Sequence, residues 1–265
     1  MVQTAKSRRA WHANGLLSML GLACLAAPLL AVADEQPTVT PYRPSVSTPA
    51  ALSAPGWLEL EAGPQFDRGR ASARSSSLPY TLKLAFTPDW GVRLSGAAWV
   101  RQTDESGQTV SGVGDSSIVV KHRFAVDDTS AFGLEGGVTL PTGNKNVSNG
   151  KADYAVNGIY SADIGDYHTD LNLAGTRVGA IDAGVGRFQA LWAASLSTPL
   201  NDRWGVVGEF SGTRQHGLSA TRQFLVAASY NASKSMTLDA GMAHSLRTGD
   251  WSVFWGLTVL GGRVF

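Results

Sequence analysis

From Trp57 to the C terminus, hydrophobic and polar residues alternate with a period of two, and no stretch carries apolar residues at convincing helical spacing. The clearest row is Leu78, Tyr80, Leu82, Leu84 and Phe86, interleaved with Thr81, Lys83 and Ala85. Comparable rows run through Phe132, Leu134, Gly136, Val138 and Leu140, through Trp204, Val206, Gly208 and Phe210, and through Phe224, Val226, Ala228 and Tyr230. Side chains alternate across a strand, so each row makes one apolar and one mixed face, and the segments have the length of tilted membrane-crossing strands. The pattern predicts strands at 57–66, 78–87, 92–101, 115–125, 131–140, 152–163, 167–176, 187–198, 203–213, 222–230, 236–246 and 251–265.

The connections alternate in length. Short turns are expected at Pro88–Gly91, Val126–Ser130, Ile164–Asp166, Pro199–Asp202 and Asn231–Ser235. Longer loops fall between them at Asp67–Ser77, Gln102–Gly114, Pro141–Lys151, Arg177–Gly186 and Arg214–Thr221, and only Arg247–Asp250 breaks the rule. A soluble sandwich has no reason to shorten every second loop, whereas an outer-membrane barrel has short periplasmic turns and longer external loops. The fold expected is therefore an all-β antiparallel transmembrane β-barrel of about twelve strands, closed so that no backbone N–H or C=O is left unpaired in lipid.

Ahead of the barrel, Lys6, Arg8 and Arg9 precede an apolar run from Leu16 to Leu30, which ends in Ala31-Val32-Ala33 before Asp34. This reads as a secretory signal peptide over residues 1–33. Its removal takes away three basic residues and the only cysteine, Cys24, and moves the formal charge from +1 to −2. An exported, thiol-free chain disfavours cytosolic cofactors and redox-active cysteine chemistry. Residues 34–55 carry Pro37, Pro41, Pro44, Pro49 and Pro55 among serines and threonines, a composition suited to a periplasmic tail without a core of its own. The composition leaves open whether that tail enters the lumen as a plug. The barrel is assigned to residues 56–265.

On the outward face Tyr80, Tyr160, Tyr167, Trp192, Trp204, Tyr230, Trp251 and Trp255 are candidates for interfacial girdles. The last strand places Val253, Trp255, Leu257, Val259 and Phe265 on one face. Its aromatic end resembles the signal read by the barrel assembly machinery of bacterial outer membranes, although Arg263 stands where an apolar residue is usual.

Gly112-Val-Gly-Asp115 followed by a strand, and then Gly133-Leu-Glu-Gly-Gly-Val-Thr-Leu-Pro-Thr-Gly143, resemble a bacterial family of outer-membrane transporters named after the meta-pathway of phenol degradation. The resemblance implies a barrel that moves small, often hydrophobic, compounds, and it supplies no ligand-binding residues to carry over.

If the apolar rows face lipid, Glu59, Glu61, Lys83, Arg93, Arg101, Lys121, Arg123, Glu135, Asp153, Asp170, Arg203, Glu209 and Asp239 face the lumen and are the permeation candidates. Cross-strand ion pairs are expected between Lys83 or Arg93 and Glu59 or Glu61, and between Lys121 or Arg123 and Glu135. Lys83, Arg93, Arg101, Lys121 and Arg123 would make a positive wall favouring anionic solutes. His122 and His244 fall on the lipid face, which points to interfacial depth, a register error or a bulge. His168 and Asp170 share a face, but spacing sets no serine beside them. No nucleophile–base–orienter set and no metal-ligand spacing is visible, so neither catalysis nor a metal or other cofactor is expected. The near-neutral charge gives no sign of nucleic-acid binding. The sequence thus reads as a bacterial outer-membrane channel or transporter passing small, hydrophobic or aromatic molecules through a narrow or gated pore, with outer-membrane lipid around it. The alternative is a structural or surface-interaction barrel with a plugged lumen.

Overall fold

The computed structural model describes residues 36–69 and 73–265, and the expected signal peptide with Cys24 lies outside them. The strands are β1 (Trp57–Ala62), β2 (Gln65–Arg68), β3 (Arg74–Ala85), β4 (Trp90–Thr103), β5 (Thr109–Gly112), β6 (Ser116–Ala125), β7 (Ser130–Leu140), β8 (Asp153–Ile164), β9 (Tyr167–Arg177), β10 (Phe188–Pro199), β11 (Trp204–Gln215), β12 (Gln223–Ser233), β13 (Met236–Ser245) and β14 (Trp251–Arg263). All neighbouring pairs are antiparallel, and β1 and β2 both pair with β14 and with β3, which closes the sheet. β1 and β2 are one stave broken at Gly63-Pro64, where proline cannot donate to the ladder. β5 and β6 likewise lie along β4 in succession. The segments therefore make the 12-stranded barrel that the alternation predicts.

The break in the β5–β6 stave is covered by the loop after β7. Asn144 Oδ1 accepts from the Val113 amide, while Asp115 accepts from the Gly143 amide and the Ser148 hydroxyl. The Leu140-Pro-Thr-Gly143 and Gly112-Val-Gly-Asp115 segments thus meet side by side. Two of the longer loops are shorter than expected because their flanking strands run on: residues 69–73 join β2 to β3, and residues 104–108 join β4 to β5. β4 and β5 form a hairpin closed by Asp104–Gln108, with Gly107 at φ +85° and Asp104 Oδ1 accepting from the Gln108 amide.

Aromatic side chains collect at both ends of the outer face. At the short-turn end Trp90 stacks on His122, His122 meets Phe124, Phe132 meets Tyr160, and Trp204 meets Tyr230, with ring centroids 4.1–5.0 Å apart. At the long-loop end Phe66 stacks on Trp255, Trp192 meets Phe210, and His244 meets Trp251. His122 and His244 are therefore members of the aromatic girdles, and depth accounts for their place on the lipid face. The His122 ring nitrogen Nδ1 also lies 3.0 Å from the Asp89 carbonyl.

Two expected lumen residues lie elsewhere. On β4 Ala97 pairs with Pro79 but Trp99 pairs with Leu78, so Ala98 is an extra residue. A one-residue bulge reverses every later side chain. Trp99 and Arg101 consequently face outward and Arg101 is absent from the lumen wall. Arg203 sits in the turn before β11, where its guanidinium donates to the Tyr230 hydroxyl at 3.0 Å.

Candidate functional site: a lumen filled by the N-terminal segment

Residues 36–55 lie inside the barrel rather than forming a tail beside it. Their five prolines remove backbone donors and disfavour helix and ladder, so the segment stays extended and irregular. Many of its remaining polar backbone groups are met by side chains of the wall, and the Val39 amide donates to the Lys234 carbonyl. Glu59 and Glu61 accept from the amides of Thr40 and Tyr42, and Lys83 donates to the Thr40 carbonyl. Across the lumen Glu209 accepts from the amide and hydroxyl of Ser47, both at 2.8 Å. Asn172 accepts from the Thr48 amide and returns a bond to its carbonyl, while Ser161 Oγ accepts from the Ala50 amide at 2.7 Å. Ala50 is fully buried against Ala131 and Ile159.

Tyr42 is the largest buried side chain of this plug. Lys83 Nζ lies 3.9 Å and Lys121 Nζ 4.2 Å from its ring centroid, with the Arg93 guanidinium carbon at 5.8 Å. Its hydroxyl donates to the Ala51 carbonyl and accepts from Lys121. Burial pushes the phenol's pKa upward, against the lowering effect of Arg93, so it remains a neutral donor. The expected positive wall is thus present at Lys83, Arg93 and Lys121, but Tyr42 covers it. Glu59 and Glu61 pair with Lys83, and Glu135 pairs with Lys121 at 3.1 Å and Arg93 at 3.5 Å.

The other candidates take varied places. Asp239 holds Arg43 of the plug, with Arg43 Nη2 3.3 Å from its carboxylate and 3.1 Å from the Trp255 carbonyl. Gly63 and Gly256 leave the passage for this guanidinium, because a Cβ at Gly256 would lie 2.8 Å from Arg43 Nε and 2.6 Å from the Ala62 carbonyl. Arg123 pairs with Asp89 near the short-turn rim rather than with Glu135, and Asp153 accepts from the Gly179 amide near the long-loop rim. Asp170 accepts from Ser161, and His168 bridges Asp170 and Asp163. The serine here contacts the aspartate and not the histidine, which is not the contact of a nucleophile with its base. Among the described residues no group of three or more His, Cys, Asp or Glu is arranged to hold a metal ion.

The lumen keeps two cavities of about 250 Å³ each. The one toward the long loops has an apolar side of Val46, Leu225, Ala243 and Phe254 facing Gln65, Gln223 and Ser252. The one toward the short turns is polar, with His168, Asp170, Ser195, Ser229, Asn231 and Thr237. Arg43, Pro44 and Ser45 line both and form the partition between them. The period-two reading names the wall charges and leaves the plug open, but it gives no sign of the inward apolar group of Val207, Leu225, Ala227, Ala243 and Phe254. Tyr42, Arg43 and Val46 among the prolines were the available signal, since a free solvated linker has little use for them.

No protein-family model matches the sequence, and no curated protein matches it significantly. Among solved structures, the chain is similar to an outer membrane channel from Pseudomonas putida F1, with a TM-score of 0.63 and 13% identity over 80% of this chain and 98% of that one. It is similar to the NanC porin at a TM-score of 0.57 and 10% identity, covering 76% of this chain and 98% of that chain. The KdgM porin, solved in complex with disordered oligogalacturonate, gives a TM-score of 0.54 at 10% identity, with coverage of 76% and 98%. At these identities the likeness is one of fold: the chain is a closed antiparallel β-barrel of the porin-like kind.

Proposed function

We propose that this protein is a gated channel of a bacterial outer membrane for small molecules, and that residues 36–55 are its gate. The observation that carries the reading is the pair of lumen cavities that share Arg43, Pro44 and Ser45 as a common wall, with one ion pair, Arg43 to Asp239, tying that partition to the barrel. A solute entering from the long-loop side meets the apolar face of Leu225 and Phe254 opposite two amides, which suits a compact, partly hydrophobic or aromatic molecule better than a strongly charged one. The wall charges keep the plug in register more than they select ions, since Glu59, Glu61, Lys83, Arg93, Lys121, Glu135, Glu209 and Asp239 are each matched by an opposite charge or a plug group. Membership of the transporter family named after the meta-pathway of phenol degradation is part of this proposal, supported by the contact between its two recognisable segments. So is assembly through the C-terminal strand ending at Phe265, whose backbone joins Val264 to Gly56.

The test is single-channel conductance in planar bilayers of the folded chain beginning at Asp34, beside a variant lacking residues 36–52. The proposal expects small or rare openings in the first, large steady openings in the second, and solute flux through both. A permanently closed structural barrel is the second reading, favoured by the number of bonds that hold the plug. Silence of the intact barrel toward every solute, with a conducting deletion variant, would establish that reading instead.

A further inference from the structure

We infer that the outward face of β2, β3 and β4 at the long-loop rim binds the phosphate of an anionic lipid headgroup in the outer leaflet. Arg68 and Arg74 stand directly opposite each other, and Arg101 stands opposite Ser76, one same-face position below Arg74. Arginines directly opposite on adjacent strands repel, and the arrangement is unfavourable unless an anion lies between them. All three are exposed, and none makes a side-chain hydrogen bond or ion pair among the described residues. Arg101 belongs to the cluster only because of the extra residue at Ala98, which turns it away from the lumen.

Acidic groups nearby do not neutralise the cluster. Asp67, Asp104 and Asp250 line a groove shared with Arg68 and Arg74. Asp67 accepts from Gln65, Asp104 from Ser106 and Gln108, and Asp250 from Thr248, and none lies within 4.0 Å of an arginine nitrogen among the described residues.

The layer beneath identifies the ligand as a lipid. On the same face Trp251 pairs with Arg68, Val253 pairs with Phe66, and Phe66 stacks on Trp255 at 5.3 Å. Trp99 and Leu78 continue this exposed apolar band under Arg101. Acyl chains against the band would bring a headgroup phosphate level with the guanidinium groups, whose planar donor forks suit phosphate oxygens. Arg177 and Arg214 lie on the same outer rim but have no arginine directly opposite, Arg177 facing Tyr154 and Phe188 and Arg214 facing Ala190.

The inference rests on the barrel lying in a membrane with its long loops at the outer leaflet, and goes beyond the channel reading. The folded barrel is placed in phosphatidylcholine vesicles containing a minor fraction of brominated phosphatidic acid or of brominated phosphatidylcholine with the same tails, and tryptophan quenching reports the lipid beside the girdle. Heat-modifiable gel mobility confirms that every variant is folded and inserted. Each arginine at the surface is expected to contribute about fivefold to the preference for phosphatidic acid, so Arg68→Gln/Arg74→Gln/Arg101→Gln loses nearly all of it. Arg177→Gln/Arg214→Gln keeps it, and the single Arg101→Gln variant loses about fivefold even if the triple variant fails to fold. An unchanged preference in Arg101→Gln, or an equal loss in the control pair, overturns the site. Complete competition by millimolar inorganic phosphate overturns the lipid and leaves a free-anion site.

Discussion

Replacing Tyr42 by alanine removes the one plug side chain that three wall cations surround. The ring is 8% exposed, and its burial contributes roughly 2 kcal/mol by area. The two lysines over the ring together add about 1 kcal/mol, and the hydroxyl's bonds to Ala51 and Lys121 about 1 kcal/mol more. A loss of roughly 4 kcal/mol, the range for an aromatic-to-alanine change in a core, raises the unseated fraction of the plug about a thousandfold. The chain from Asp34 has no cysteine, so Ser47→Cys gives a clean probe: residue 47 is 1% exposed while its amide still donates to Glu209. Maleimide labelling of the folded barrel then measures how often the plug leaves. Tyr42→Ala should accelerate labelling by two to three orders of magnitude, and Tyr42→Phe, which keeps the ring, by about tenfold. A rate within about threefold of the parent, in barrels with unchanged heat-modifiable mobility, would refute the reasoning, because Tyr42 would then not be holding the plug.

Other expectations follow from the same geometry. Gly256→Val puts branched atoms where Arg43 Nε passes at 2.8 Å from a Cβ, so it should break the Arg43–Asp239 pair, cost about 1–3 kcal/mol of barrel stability in urea, and raise the open probability in bilayers. Charge reversal at Arg93 and Lys121 should shift reversal potentials toward cations and also speed Ser47→Cys labelling, because Lys121 bonds the Pro49 carbonyl and the Tyr42 hydroxyl. An altered selectivity without faster labelling would separate the wall from the plug. The exposed turn residue Asp127 has a lowered pKa, first because its carboxylate accepts from the Thr129 amide and then from the Ser130 and Thr129 hydroxyls. A depressed carboxylate stabilises the turn fully above its usual value, and that contribution disappears as pH falls through the lowered one. The protection of the Thr129 amide against hydrogen exchange, relative to its intrinsic rate at each pH, should fall over that acidic interval in the parent protein and show no such loss in Asp127→Asn.

Period-two alternation was enough to read strand number, closure and the apolar face, because lipid imposes the same demand on every strand of the barrel. It failed where a local feature changes parity or ends a strand. Alternation along Val92 to Arg101 carries no mark of the extra residue at Ala98, which shows only in the pairing with Pro79 and Leu78. Arg203 has the right parity beside Trp204, but Asn201 draws its amide into the turn. Glu59, Glu61, Lys83, Lys121, Glu135 and Glu209 were legible as inward residues, whereas their partners in residues 36–55 were not. Those partners are mostly backbone groups, which every residue carries, so neither spacing nor composition announces them. The inward apolar side around Leu225 and Phe254 escaped for a related reason: small alternating residues on β12 and β13 give both faces similar hydrophobicity.

The way the plug is bound bears on whether it can move without unfolding the barrel. Had residues 36–55 added a strand to the sheet, release would break a ladder and expose an edge in lipid, where unpaired backbone groups are costly. The prolines exclude that arrangement, and the wall's own ladder closes between β1 and β14 without any contribution from the segment. Apart from the Val39 amide, which donates to the Lys234 carbonyl, the bonds that hold it mostly join plug backbone to side chains that would face water in an open lumen. On release Glu209 exchanges the Ser47 donors for water and Asn172 exchanges Thr48 for water, each at a net cost of about 1 kcal/mol, while Lys83 and Lys121 keep Glu59, Glu61 and Glu135. Glu209 and Asp239 also regain hydration that they lack beside the seated segment, which offsets part of that cost. The apolar contribution is concentrated in Val39, Tyr42 and Ala50 rather than spread evenly along the segment. Detachment therefore depends on a few side chains while the strand ladder stays intact, which is the separation of energies that a reversible gate inside a stable barrel requires.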